Sequence, residues 1–163
     1  MAGMIPHHAQ AIVMAGWAPT RARDGGVKVL AERIVVAQRD EIALIRSWLR
    51  EVGEPVPPAD ATHHRMTMNG VEHDMLMPGM LNPEEMKQLE RAKGNEFDRL
   101  FLTFMIRHHE GALTMVKQLF ASYGAAQDDV VFKFANDVHA DQEIEIDRMQ
   151  QLLEALPPND LRP

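Results

Sequence analysis

Apolar residues recur three and four positions apart through most of this chain, the period of helices that bury one stripe. Phe97, Phe101, Met105, His108, Ala112, Met115 and Leu119 form one stripe and predict a helix from about Asn95 to Ser122, which Gly124 breaks. Val131, Phe134, Val138, Gln142, Glu145, Met149, Leu152 and Leu156 form the next, from about Gln127 to Leu156, closed by Pro157 and Pro158. In the first half, Leu30, Ile34, Gln38, Glu41, Ile45, Trp48 and Val52 mark a helix from about Gly25 to Glu51, ending near Gly53 and Pro55. A shorter helix starts at Asn82-Pro83-Glu84-Glu85 and runs to about Gly94. Asn caps it, Pro suits its first position and the carboxylates face its positive end.

The pattern is duplicated. Met4-Ile5-Pro6-His7-His8-Ala9-Gln10-Ala11-Ile12-Val13-Met14 returns as Met105-Ile106-Arg107-His108-His109-Glu110-Gly111-Ala112-Leu113-Thr114-Met115, keeping both Met, the His pair, the Ile and one Ala. A Gln-x-x-Glu then interrupts the apolar stripe of the following helix in each copy, at Gln38/Glu41 and Gln142/Glu145. Each repeat reads as a helical hairpin with one apolar face that it cannot bury alone. The expectation is one all-α domain over residues 1–163, a ferritin-like four-helix bundle with approximate two-fold symmetry. Repeat one spans 1–52, a long Met/His-rich connecting loop 53–82, and repeat two 83–157. The connection shows no clear periodicity, and a structureless segment of that length is usually functional or disordered.

Composition narrows the chemistry. With 163 residues, 45% apolar and only 6% aromatic, the chain suits a helical core better than a sandwich. The net charge of −7 is concentrated in the second half and favours cations over phosphate backbones, which excludes nucleic acid as a natural partner. There is no Cys against twelve Met, so thiolate sites and disulfides are ruled out. Thioethers remain ligands where thiols oxidise, which is compatible with an extracytoplasmic, periplasmic or secreted setting. No apolar run reaches the roughly 20 residues of a membrane span. No leader segment opens the chain, and the first repeat starts without the residues that precede the second His pair, so the first helix is expected to be short, with Pro6 at its start.

The His pairs are the leading candidate site. Met105 stands three residues before His108 and four before His109, within reach of both on a helix, and Met4 bears the same relation to His7 and His8. Met14 and Met115 lie about 10.5 Å further along the axis and read as packing residues or members of a separate site. Glu41 and Glu145, with Gln38 and Gln142, fall within about a turn and a half of the His pairs when counted back through each hairpin. A carboxylate on an apolar stripe needs a partner, and an imidazole N–H is a natural one, so these Glu are expected to orient the His rings. The bland reading is core histidines plus a polar bridge that fixes bundle register.

The connecting segment offers a second candidate. His63, His64, Met66, Met68, His73, Met75, Met77 and Met80 put eight soft or borderline donors within eighteen residues. Thioethers select Cu(I), and imidazole accepts either copper state. The bland alternative is that these Met fill gaps over the bundle. His139, among Asp137, Asp141 and Glu143, reads as a solvated face or a weak divalent-ion site.

The duplicated Met-Ile-x-His-His-x-x-Ala-x-x-Met, the His73 to Leu81 stretch leading into Asn-Pro-Glu-Glu-Met, and Glu96-Phe97-Asp98-Arg99-Leu100-Phe101-Leu102 resemble the DUF305 family over nearly the whole chain. The resemblance implies a ferritin-like bundle in a bacterial secreted or periplasmic protein, with copper binding and resistance among its members. It implies roles for His7, His8, His108 and His109, with Met4, Met14, Met105 and Met115 beside them. The expected function is copper binding or buffering, Cu(I) in preference to Cu(II), without turnover and with exchange to another copper-handling protein. A di-iron enzyme needs Glu-x-x-His, and no His here has Glu three residues before it. The remaining alternative is a metal-free structural or protein-interaction bundle.

Overall fold

A computed structural model of the protein describes residues 1–62, 64–68, 71–124 and 127–157, with the strands at 64–68 and 71–75 described by their backbone. Four helices make the bundle: α1 (Met4–Gly16), α3 (Gly25–Glu51), α5 (Gly94–Ala121) and α6 (Asp129–Ala155). A one-turn α2 (Ala18–Arg21) extends α1, and α4 (Pro83–Arg91) leads into α5. The helix limits follow from local chemistry. Asp24 caps α3 through Val27 N–H, and Asp128 caps α6 through the N–H groups of Val130 and Val131. Asn82 and Glu85 close a reciprocal capping box on α4. Gly124 adopts φ +75° just beyond α5, a conformation that costs glycine nothing.

Three expectations change. Pro6 is the third residue of α1 and does not start it, because the first-turn N–H it lacks has no intrahelical acceptor anyway. Val52 is the C-cap of α3 and is exposed, since the inward stripe ends with Leu49. The connector also differs from a structureless loop: β1 (His64–Met68) and β2 (Val71–Met75) form a two-stranded antiparallel ribbon. The Asn69-Gly70 dipeptide between the strands was the available signal, the strongest short-range hairpin cue in any sequence.

The core falls into two apolar clusters. At one end Met4, Ile5 and Ala9 of α1 meet Ala112 and Val116 of α5, with Ile42, Ile45 and Leu49 from α3 and Phe134, Ala135 and Val138 from α6. At the other end Met14 and Ala15 meet Phe97, Phe101 and Met105, with Leu30, Ile34, Ile146 and Met149. The start of α1 thus lies beside the end of α5, so the two helices run antiparallel, as a two-fold relation between repeats requires. Between the two clusters, at the waist of the bundle, α3 contributes Gln38 and α6 contributes Gln142, both buried.

The halves are stitched together at α3. The buried Asp98 carboxylate of α5 accepts hydrogen bonds from the N–H groups of Arg23 and Asp24 at 2.9 to 3.2 Å, serving the start of a helix in the other repeat. Burial raises its pKa, an effect that the two N–H donors oppose.

Candidate metal centre

The polar waist is built from α1 and α5. His7, His8, His108 and His109 are each 0% exposed, so both members of each pair are interior, not one in and one out. Adjacent helical residues point about 100° apart, which lets one His of each pair face across the bundle while the other faces its own hairpin partner. His7 and His108 meet across the two-fold axis with ring centroids 3.9 Å apart. His8 turns to α3, its Nε2 2.7 Å from Glu41 Oε2, and His109 turns to α6, its Nε2 2.6 Å from Glu145 Oε2. The rings of each adjacent pair lie 6.1 and 6.3 Å apart. The result is a continuous line, Glu41–His8–His7–His108–His109–Glu145.

Those neighbours fix where the protons sit. His7 Nε2 donates to the carbonyl of Pro78 at 3.0 Å and His109 Nε2 donates to the Glu145 carboxylate, whereas His8 Nε2 and Glu41 Oε2 are close without hydrogen-bonding geometry. The Nδ1 atoms of His7, His8 and His109 are all buried without a hydrogen-bond partner. Neither nitrogen of His108 makes a hydrogen bond of good geometry either. Buried polar atoms in native proteins are nearly always paired, so this concentration of unmet nitrogens suits a ligand that accepts lone pairs.

His7 and His108 are also held neutral, the form that binds metal. Burial, reinforced by the charges of His8 and His109, pushes the His7 pKa down to about 3 against the opposing contact with Pro78. Burial again, then His7, His109 and His8, drives His108 well below its ordinary value.

The thioethers flank this layer. Met4 and Met115 sit with the cluster on one side, and Met14 and Met105 are fully buried in the cluster on the other. Met77 lies beside Gly3, near Met115, and Met80 is buried with its sulfur accepting from the Met77 N–H. Among the described residues no three His, Asp or Glu side chains converge as a ready-made ligand set.

The remaining candidates are placed as follows. In the ribbon, His64 stands opposite Met75, Met66 opposite His73, and Met68 opposite Val71, so five donors occupy one alternating set of register positions. His63 lies outside the described residues. His139 sits on the surface, its Nδ1 3.5 Å from Glu143 Oε2, a contact of little energetic weight there. Gln38 and Gln142 share the waist, and both polar atoms of Gln38 and the Gln142 Oε1 lack partners.

The sequence reading missed the cover on the layer. Met77–Leu81 lies across α1 and α5, held by the His7 contact to Pro78 and by Gln10, whose carboxamide donates to Leu81 O at 2.9 Å and accepts from Leu81 N at 2.7 Å. Gly79 (φ +78°) and Gly111 meet there so closely that a Cβ on Gly111 would collide with the Pro78 carbonyl. The Gly111 in an otherwise helical run was the sign that another backbone approaches.

A family model described as a domain of unknown function, DUF305, matches residues 1–153. The chain belongs to the DUF305 family. A candidate secreted DUF305 protein from Streptomyces coelicolor is 30% identical, with 93% of this chain and 87% of that one aligned at a TM-score of 0.75. CopM in its Cu(I)-bound form is 27% identical, covering 93% and 90% of the two chains at a TM-score of 0.70, and CopM has also been solved with Cu(II) and with Ag. Protein L153 of Acanthamoeba polyphaga mimivirus is 45% identical over 49 residues, so the match spans 30% of this chain and 32% of the viral protein. Among the described residues of this DUF305 chain, no helix is long and apolar enough to cross a membrane.

Proposed function

We propose that this DUF305 protein binds copper, Cu(I) in preference to Cu(II), and buffers it outside the cytoplasm without catalysing a reaction. The observation that carries this reading is the buried layer of four imidazoles in which the Nδ1 atoms of His7, His8 and His109 and both nitrogens of His108 have no hydrogen-bond partner. His7 and His108 are the central donors, and thioethers from the flanking Met complete a soft ligand set. Glu41 and Glu145 orient His8 and His109. The paired His and Met positions of the ribbon are a second, outer copper contact, and exchange of the ion with another copper-handling protein follows from a carrier role. The likeness to CopM, solved with Cu(I), Cu(II) and Ag, supports the same reading.

A purely structural bundle is the competing reading. It is favoured by the lack of a converged His/Asp/Glu set among the described residues and by the two His–Glu contacts, which would fix register by themselves. Titration with Cu(I) against a chromophoric chelator separates the two. Uptake by the wild type that falls by at least one ion in the His108→Ala/His109→Ala double variant, at retained helicity, is expected. Absence of uptake by the wild type, or undiminished uptake by the variant, rejects the copper reading of the layer.

A further inference from the structure

Repeat one carries charges that its copy reverses. Between α1 and α3 lies a groove of about 340 Å³ with an aliphatic floor, made by Ala9 and Ile12 of α1 and Ile42 of α3. Ala9 and Ile42 are buried and Ile12 is half-buried, while Val13 and Ala43 line the groove where it opens to solvent. Arg39 and Arg46 line it from α3, seven residues and so about 10.5 Å apart on one helical face. Ala59 and Asp60 from the connector complete the lining.

Pairing the repeats position by position, with Met4 on Met105 and Gln38 on Gln142, separates what the fold demands from what it leaves free. The interior positions keep their character, Ile12 corresponding to Leu113 and Ile42 to Ile146. The outward positions do not. Arg39 corresponds to Glu143, Arg46 to Gln150, and Arg50, next on that face, to Glu154. Ala9 and Ala43 leave room where the copy carries Glu110 and Asp147. A hairpin of the same packing is thus built with acids at these positions, so the arginines are not required to hold α3 against α1.

The arginines are also uncommitted. Among the described residues neither makes an ion pair or a hydrogen bond, and the Arg46 Nε is buried without an acceptor. In a chain of net charge −7, two guanidinium groups without carboxylate partners beside an aliphatic floor make a local cationic site. Asp60 is the single carboxylate of the described lining, so cations outnumber anions there. A guanidinium presents a planar fork of donors that matches a carboxylate, and a floor without aromatic rings suits an alkyl chain. The two guanidinium groups, with no sulfur or imidazole in the lining, make the groove unsuited to a metal ion.

We infer that the α1/α3 groove is a binding site for an aliphatic carboxylate, its alkyl chain over Ala9, Ile12 and Ile42 and its carboxylate held by Arg39 and Arg46. The inference is independent of the copper reading of the buried layer. No covalent bond or redox change is involved.

Isothermal titration with sodium octanoate tests the site, with acetate and octanol probing each half of the ligand separately. Octanoate should bind at one saturable site, and each methylene added from hexanoate to decanoate should tighten binding about two- to fourfold. Arg39→Gln/Arg46→Gln should weaken octanoate binding by about tenfold or more. Glu143→Gln/Asp147→Asn, which neutralises the corresponding face of repeat two, should leave the affinity unchanged. Amide shifts in NMR spectra should centre on Ile12, Val13, Ile42 and Ala43. Absence of saturable binding to the wild type overturns the inference, as does undiminished binding by the arginine variant. Acetate or octanol binding as tightly as octanoate also overturns it, since the site would then read only one half of the ligand.

Discussion

His7 occupies a position where its environment and its intrinsic basicity oppose each other. In an unfolded chain its ring would accept a proton near pH 6.5, whereas in the folded protein burial, helped by His8 and His109, pushes that event down to about pH 3. Between those values the unfolded state binds the extra proton, so stability falls as pH falls from about 6.5 towards 3. One pKa unit corresponds to about 1.4 kcal/mol, so acidification of the metal-free protein from pH 6.5 to 5 should cost about 2 kcal/mol through His7 alone. Replacement by Leu removes the titrating group. His7→Leu should therefore lose about 2 kcal/mol less than the wild type over that interval, as measured by urea unfolding at each pH. Equal pH slopes for the two proteins would show that His7 is hydrated and not held neutral.

At the scale of elements, the segment Met77–Leu81 decides whether the layer is closed. It makes no helix or strand of its own, and its place is set by Gln10, by the His7 to Pro78 contact and by the missing side chain of Gly111. Gly111→Ala should force that segment off α5, costing about 1–3 kcal/mol in urea unfolding as overpacked sites do. It should also make the connector more susceptible to limited proteolysis. Gly16→Ala, where a new Cβ meets open space, should be neutral or slightly stabilising. The sequence made α3, α5 and α6 legible to within two residues because their periodic stripes are long and their caps are explicit. It hid the cover, because a carboxamide that pairs with the backbone of one residue 71 positions away leaves no periodic trace. The ribbon was hidden for a different reason: His and Met carry little strand preference, so only the Asn-Gly pair marked it.

For the whole molecule, the duplication visible in the sequence becomes a functional arrangement only when the halves close on each other. Spacing placed each His pair near its own Met and Glu, and the His–Glu contacts within each hairpin match that arithmetic. The meeting of His7 with His108 could not be read, because nothing in one repeat specifies which face of the other it will oppose. An ion bound there would join the two hairpins and stabilise only the folded state. Cu(I) at a hundredfold excess over its dissociation constant should raise the unfolding free energy by about 2.7 kcal/mol. The burial that lowers the His7 and His108 pKa values also removes proton competition at these two rings, since they are already neutral below pH 6. A short peptide with the same His-His and Met residues must instead release protons to bind, and it loses affinity by about tenfold per pH unit for each ligating His below its pKa of 6.5. Between pH 7 and 5 the affinity of the folded protein for Cu(I) should therefore decline much less than that of a peptide spanning residues 103–117. A parallel decline would mean that binding uses histidines outside the central layer and that the layer stays empty.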